Sequence, residues 1–76
     1  MKIQQIAAEN IRQIRVKRGL SQEGLALDAR MSRAYIGEIE RAEKNISIGR
    51  LEKIAKVLGV EVDLLLRKGG YQEIKK

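Results

Sequence analysis

The side chains that carry most covalent and metal chemistry are missing from these 76 residues. There is no cysteine and no histidine, hence no thiolate nucleophile, no disulfide, no zinc ligand set and no imidazole base. The chain therefore reads as non-enzymatic, with no catalytic residue, no metal site and no cofactor. What remains is charge and hydrogen bonding. Sixteen Lys and Arg against ten Asp and Glu give a formal net charge of +6, which attracts nucleic acid, an anionic membrane surface or an acidic protein. One cation stands where it could do more than attract. Arg33 falls at the start of a helix, and a guanidinium there can donate two hydrogen bonds to a guanine edge.

The elements that would hold Arg33 follow from punctuation. Ile3, Ile6, Ala7, Asn10, Ile11 and Ile14 recur at three- and four-residue steps, one face of a first helix that Gly19 ends. Each of the three serines precedes an apolar-periodic segment. A serine there accepts a hydrogen bond from an unpaired first-turn N–H. Ser21 opens a second helix over Gln22–Ala29, Ser32 a third from Arg33 to about Arg41, and Ser47 a fourth over Ile48–Leu58, stopped by Gly59. A short fifth helix runs from about Val62 to Arg67. No stretch alternates with the two-residue period of a strand. The fold class is all-α, in one domain over 1–68 with a charged tail over 69–76.

Only Arg30 and Met31 separate the second helix from the serine of the third. So short a turn makes the two helices cross steeply, as in a helix-turn-helix, whose second helix lies in the DNA major groove.

The run GLSQEGLALDARMSRAYIGEIERAEKNISIGRLEKIAKVLGV, Gly19 to Val60, resembles the Cro-like and lambda-repressor-like helix-turn-helix regulators. Its Leu-Ser-Gln-Glu opening, Tyr-Ile pair and Ile-Glu-Arg ending carry the likeness, with IRQIRVKRG before it and VEVDLLL after. Within that family, the length and the segment ERAEKNISI look most like controller proteins of restriction–modification systems. The resemblance implies a compact five-helix domain that binds duplex DNA as a homodimer on a palindromic operator and regulates transcription.

It also implies roles for particular positions. Arg33, Ala34, Gly37 and Glu38 match positions that face base edges. Gln22, Ser32, Tyr35, Arg41, Lys44, Asn45 and Ser47 match positions that grip the DNA backbone. Arg15 and Glu40 match a pair that bridges the first helix to the third. Leu64, Leu65 and Leu66 fall where many members dimerise, and three consecutive helical residues cannot all enter one small core.

Plainer readings stand beside these. Tyr35 could be a half-buried ring packed on the second helix, Glu38 an exposed acid, and Lys53 and Lys56 solvated charges on the outer face of the fourth helix. Arg30 occupies a turn position where the family usually has glycine, and a positive φ there would cost about 1 kcal/mol. For the chain as a whole, one alternative is an antitoxin-type or phage-type repressor that also binds a protein partner. Another is charge-driven binding of nucleic acid without selectivity. No apolar run reaches the roughly 20 residues of a membrane span, and no secretory signal opens the chain. The expected location is the cytoplasm, with no membrane partner and no small-molecule ligand.

Overall fold

The computed structural model describes residues 2–74, and every regular element among them is helical. The order is α1 (Ile3–Lys17), α2 (Gln22–Ala29), α3 (Arg33–Glu40), α4 (Ile48–Leu58), α5 (Val62–Leu65) and a 3-10 turn over Gly70–Glu73. The three serines sit where the local chemistry places them. Ser21 Oγ accepts from the Gly24 N–H at 2.9 Å, Ser32 Oγ from Tyr35 at 3.0 Å and Ser47 Oγ from Arg50 at 3.2 Å. Each cap satisfies one donor that the first helical turn would otherwise leave unpaired.

The first four helices end in one and the same way. A residue with left-handed backbone follows the helix, and the next N–H reaches back five residues. The closures are Leu20 to Arg15 at 3.0 Å, Met31 to Ala26 at 2.8 Å, Glu43 to Glu38 at 2.9 Å and Val60 to Ala55 at 3.0 Å. Glycine holds the left-handed position twice, at Gly19 and Gly59. The other two are Arg30 with φ 58° and Ala42 with φ 60°. Each of those carries a Cβ against the local carbonyl, at a cost of about 1–2 kcal/mol. Leu20, Met31 and Val60 follow the reversals at α1, α2 and α4 and pack against the core, the apolar contact that accompanies this kind of helix stop.

The core is aliphatic. Ile11 and Ile14 of α1, Leu25 of α2, Ile36 of α3, Ile54 and Leu58 of α4 and Leu65 of α5 are fully buried. Removing such a side chain from water is worth about 1.5–3 kcal/mol, so these seven supply much of what holds the helices together. Among the described residues one polar residue is buried as a whole, backbone and side chain together: Asn10, at 1% exposure. Its Nδ2 donates to the carbonyls of Leu65 and Arg67, both at 2.8 Å, and more weakly to Leu64 at 3.4 Å. Its Oδ1 accepts from the Tyr71 N–H at 3.0 Å. One side chain thus pins both the end of α5 and the following turn to α1.

Residues 69–74 lie back on the domain. Tyr71 and Ile74 pack against the core, and Lys17 Nζ donates to their carbonyls at 3.0 and 3.3 Å. Gly70 is required here, because a Cβ would lie 2.1 Å from the Leu64 carbonyl oxygen. Residues 75 and 76 of the charged tail lie outside the described residues. The fifth helix stops at Leu65, earlier than its apolar pattern suggests. Asn10 takes up the carbonyls that a further turn would have used.

Candidate nucleic-acid interface

The third helix presents two faces of opposite character. Ile36 and Ile39 enter the core, while Arg33 and Ala34 are exposed and Glu38 is half-exposed. An ion pair beneath α3 ties it to α1. Arg15 Nε lies 2.7 Å from Glu40 Oε2 and Nη2 lies 2.9 Å from Oε1, while Nη1 donates to the Leu20 carbonyl at 2.8 Å. The Arg15 and Glu40 side chains are 12% and 2% exposed. This two-pronged contact fixes angle as well as distance, because a planar guanidinium meets a carboxylate edge-on.

Gln22 adds a third donor to the same carboxylate, with Nε2 at 3.1 Å from Glu40 Oε1. An amide nitrogen carries two hydrogens, and Glu40 takes one. The side chain at the first turn of α2 is thereby aimed, with its second N–H still able to donate. Ser32 and Ser47 are similarly placed. Each hydroxyl oxygen accepts the capping N–H, and the O–H can donate outward from an exposed helix start.

Gly37, which the family resemblance turns toward base edges, lies beneath a neighbouring side chain. It is buried, and an added Cβ would meet Arg41 Nη1 at 3.1 Å. The guanidinium of Arg41 lies across α3 at this point, so the glycine makes room for a side chain of its own molecule. Arg41 is exposed and paired with Glu43 through contacts of 3.0 and 3.1 Å. Those hydrogen bonds hold the Glu43 carboxyl below its ordinary range and raise the Arg41 guanidinium further.

The loop between α3 and α4 carries Lys44, Asn45 and Ser47, all exposed. Asn45 Oδ1 accepts from Gln4 Nε2, which ties this loop to the start of α1. Tyr35 is half-buried and has a partner that no local spacing would reveal. Arg50, fifteen residues on, lies over its ring at 5.1 Å and brings Nη1 to 3.4 Å from its hydroxyl.

Two of the three leucines at the end of the chain belong to the interior. Leu64 is 8% exposed and Leu65 fully buried, leaving Leu66 at 38%. A four-residue helix pinned by Asn10 can turn two adjacent side chains into the core. Leu66 instead lines an apolar concavity with Ile3, Ile46 and Ile48. Ile3 is 52% exposed and Ile48 81%.

Comparison with known proteins gives the class to which this arrangement belongs. The chain is a member of the helix-turn-helix family, whose model matches residues 11–65. It is 43% identical over 72 residues to the control protein C.SmaI of Serratia marcescens, covering 95% of this chain and 86% of that protein. A hypothetical transcription factor from Neisseria has a similar structure, with a TM-score of 0.88 and 35% identity over 93% of this chain and 82% of that one. The restriction–modification controller protein C.Esp1396I, solved as a tetramer with its natural 35 base-pair operator, matches with a TM-score of 0.78. Its identity is 34%, over 86% of each chain. Among the described residues no His, Cys, Asp or Glu cluster could hold a metal ion, and no helix is long and apolar enough to cross a membrane.

Proposed function

We propose that this protein is a sequence-specific duplex-DNA-binding transcriptional regulator of the controller type, acting in the cytoplasm as a homodimer on a palindromic operator. The observation that carries this reading is the exposed Arg33–Ala34–Glu38 face of α3, held at a set angle by the buried Arg15–Glu40 pair. Arg33 donates to a guanine edge, Ala34 offers a methyl-sized contact, and Glu38 accepts from a cytosine amino group. Gln22, Ser32, Tyr35, Lys44, Asn45 and Ser47 hold the sugar–phosphate on either side, and such contacts fix register while base contacts select sequence. Arg41 reaches phosphate only by sharing its charge with Glu43. No bond is made or broken, so no catalytic group or cofactor takes part.

The second subunit covers the apolar concavity of Ile3, Ile46, Ile48 and Leu66, with Leu66 the one member of the leucine run that remains for this role. A two-fold dimer sets two recognition helices about 34 Å apart, in successive major grooves. Two measurements test the reading together. Sedimentation of the free protein should give a dimer that Ile48→Lys dissociates. Arg33→Ala should lose preference at one base position while keeping its fold. A monomer at every concentration would overturn the dimer, and unchanged base preference would overturn the role of Arg33.

The same concavity favours one second reading, in which a different protein covers it, as in an antitoxin-type repressor. A homodimer that Ile48→Lys dissociates, with no other protein present, places the second subunit on the concavity and excludes that reading.

A further inference from the structure

Outside the face just described, the strongest unexplained feature is a strip of positive charge. Arg30, in the turn before α3, and Arg50, Lys53 and Lys56, on the outer side of α4, line three adjoining surface concavities. Arg30 and Arg50 share the first with Met31, Ser32 and Tyr35. Arg30, Lys53 and Lys56 share the second, and Arg50, Lys53 and Lys56 the third. All four cations are exposed. Asp28 and Glu52 border the strip, but among the described residues none of the four cations forms an ion pair. The ion pairs present are Arg15–Glu40, Arg41–Glu43 and Arg67–Glu73.

Like charges gathered without an ion-pair partner repel one another, and a polyanion relieves that repulsion while releasing its own condensed counterions. The strip begins at the amino end of α3 and adjoins Tyr35 through Arg50. From there it continues along a second helix. A helix inserted in the major groove has the phosphate ridge beside its start, so cations that carry on from that start meet the next stretch of backbone.

We infer that Arg30, Arg50, Lys53 and Lys56 form a second phosphate-binding strip that grips the DNA backbone flanking the half-site read by α3. This rests on the DNA-binding function proposed above. Lys53 and Lys56, which look from sequence like solvated charges, then bind phosphate and extend the contacted length of each half-site outward. They add affinity without choosing bases.

The Lys53→Gln/Lys56→Gln double variant tests this, because both side chains are exposed and contribute nothing to the core. Binding is titrated against salt on a long duplex of random sequence, and on an otherwise identical duplex trimmed to the length of two half-sites. Each lost phosphate contact lowers the slope of log affinity against log salt by about 0.9. The double variant in a dimer should therefore bind the long duplex with a slope smaller by about 3–4, and at least tenfold more weakly at low salt. On the trimmed duplex it should match the wild type. An unchanged slope on the long duplex overturns the strip, as does wild-type protein that fails to bind that duplex at low salt. An equal loss on both duplexes overturns its flanking position. The DNA-reading function fails by a different sign: Arg33→Ala that leaves base preference untouched, whatever the salt slope does.

Discussion

Replacing Glu40 by alanine removes the one counter-charge of a guanidinium that is 12% exposed. Arg15 keeps its hydrogen bond to the Leu20 carbonyl but loses contacts at 2.7 and 2.9 Å, and Gln22 loses its acceptor as well. Leaving one partner of a buried pair uncompensated costs about 3–5 kcal/mol. A domain of this size has about 4–11 kcal/mol of stability in all, so Glu40→Ala should consume a large part of it. Near Tm, 1 kcal/mol corresponds to roughly 4–8 °C for a domain of 60–100 residues. A fall in Tm of at least about 12 °C is therefore expected by circular dichroism. Arg15→Met/Glu40→Leu separates stability from orientation. Apolar replacement of both partners is often neutral or stabilising, so the double variant should melt near the wild type. It lacks the two-pronged contact that sets the angle of α3, and its operator affinity should still fall. A loss below about 1 kcal/mol in Glu40→Ala would instead mark a solvent-screened surface pair and overturn this role for Glu40.

Arg33→Ala should weaken operator binding by about 1–3 kcal/mol and relax preference at one base position, read from binding to operators varied one base at a time. Asn10→Leu strands the carbonyls of Leu65 and Arg67 and the Tyr71 N–H without their partner. It should cost about 2–4 kcal/mol in denaturant unfolding, and a neutral result would show that water replaces the amide. Ala42→Gly removes the Cβ at a residue with φ 60°. The relief of about 1–2 kcal/mol exceeds the added chain entropy of about 0.5–1 kcal/mol, so Tm should rise, and a fall would contradict the strain. Ile48→Lys should raise the dimer dissociation constant at least tenfold in sedimentation, with the isolated subunit's helicity unchanged, since the side chain is 81% exposed.

Most of the helical layout is legible from local chemistry because the devices that bound these helices are local. A serine caps the helix that follows it and a glycine stops the one before it. α2 and α4 accordingly begin and end where Ser21, Ser47 and Gly59 place them. The Arg15–Glu40 pair is suggested by family likeness and not by local spacing, because its members stand on different helices and meet at 2.7 Å. Ala42 is not legible as a helix stop, because nothing in its residue type announces a left-handed backbone. The preceding helix and the Glu43–Glu38 hydrogen bond impose it from both sides.

Other features depend on long-range geometry that no local pattern carries. Asn10 falls on the apolar face of α1 by spacing, and only the arrival of chain fifty-four to sixty-one residues later gives its amide a purpose. The same contact sits at the end of α5, where Leu64 and Leu65 face inward and the run of three leucines leaves a single exposed one. At Gly37, position on the helix wheel points outward, but the long side chain of Arg41 folds over it. Arg50 against Tyr35 joins two helices across a loop, a pairing invisible to any short window of sequence.

Whether α3 reads bases as part of a dimer is decided by selecting binding sites from a pool of random duplexes. At about 0.15 M salt, attraction that depends on charge alone is weakened. An enriched inverted repeat with half-site centres about 10 bp apart is the predicted result. A pool that remains random while the protein is folded and dimeric would contradict it.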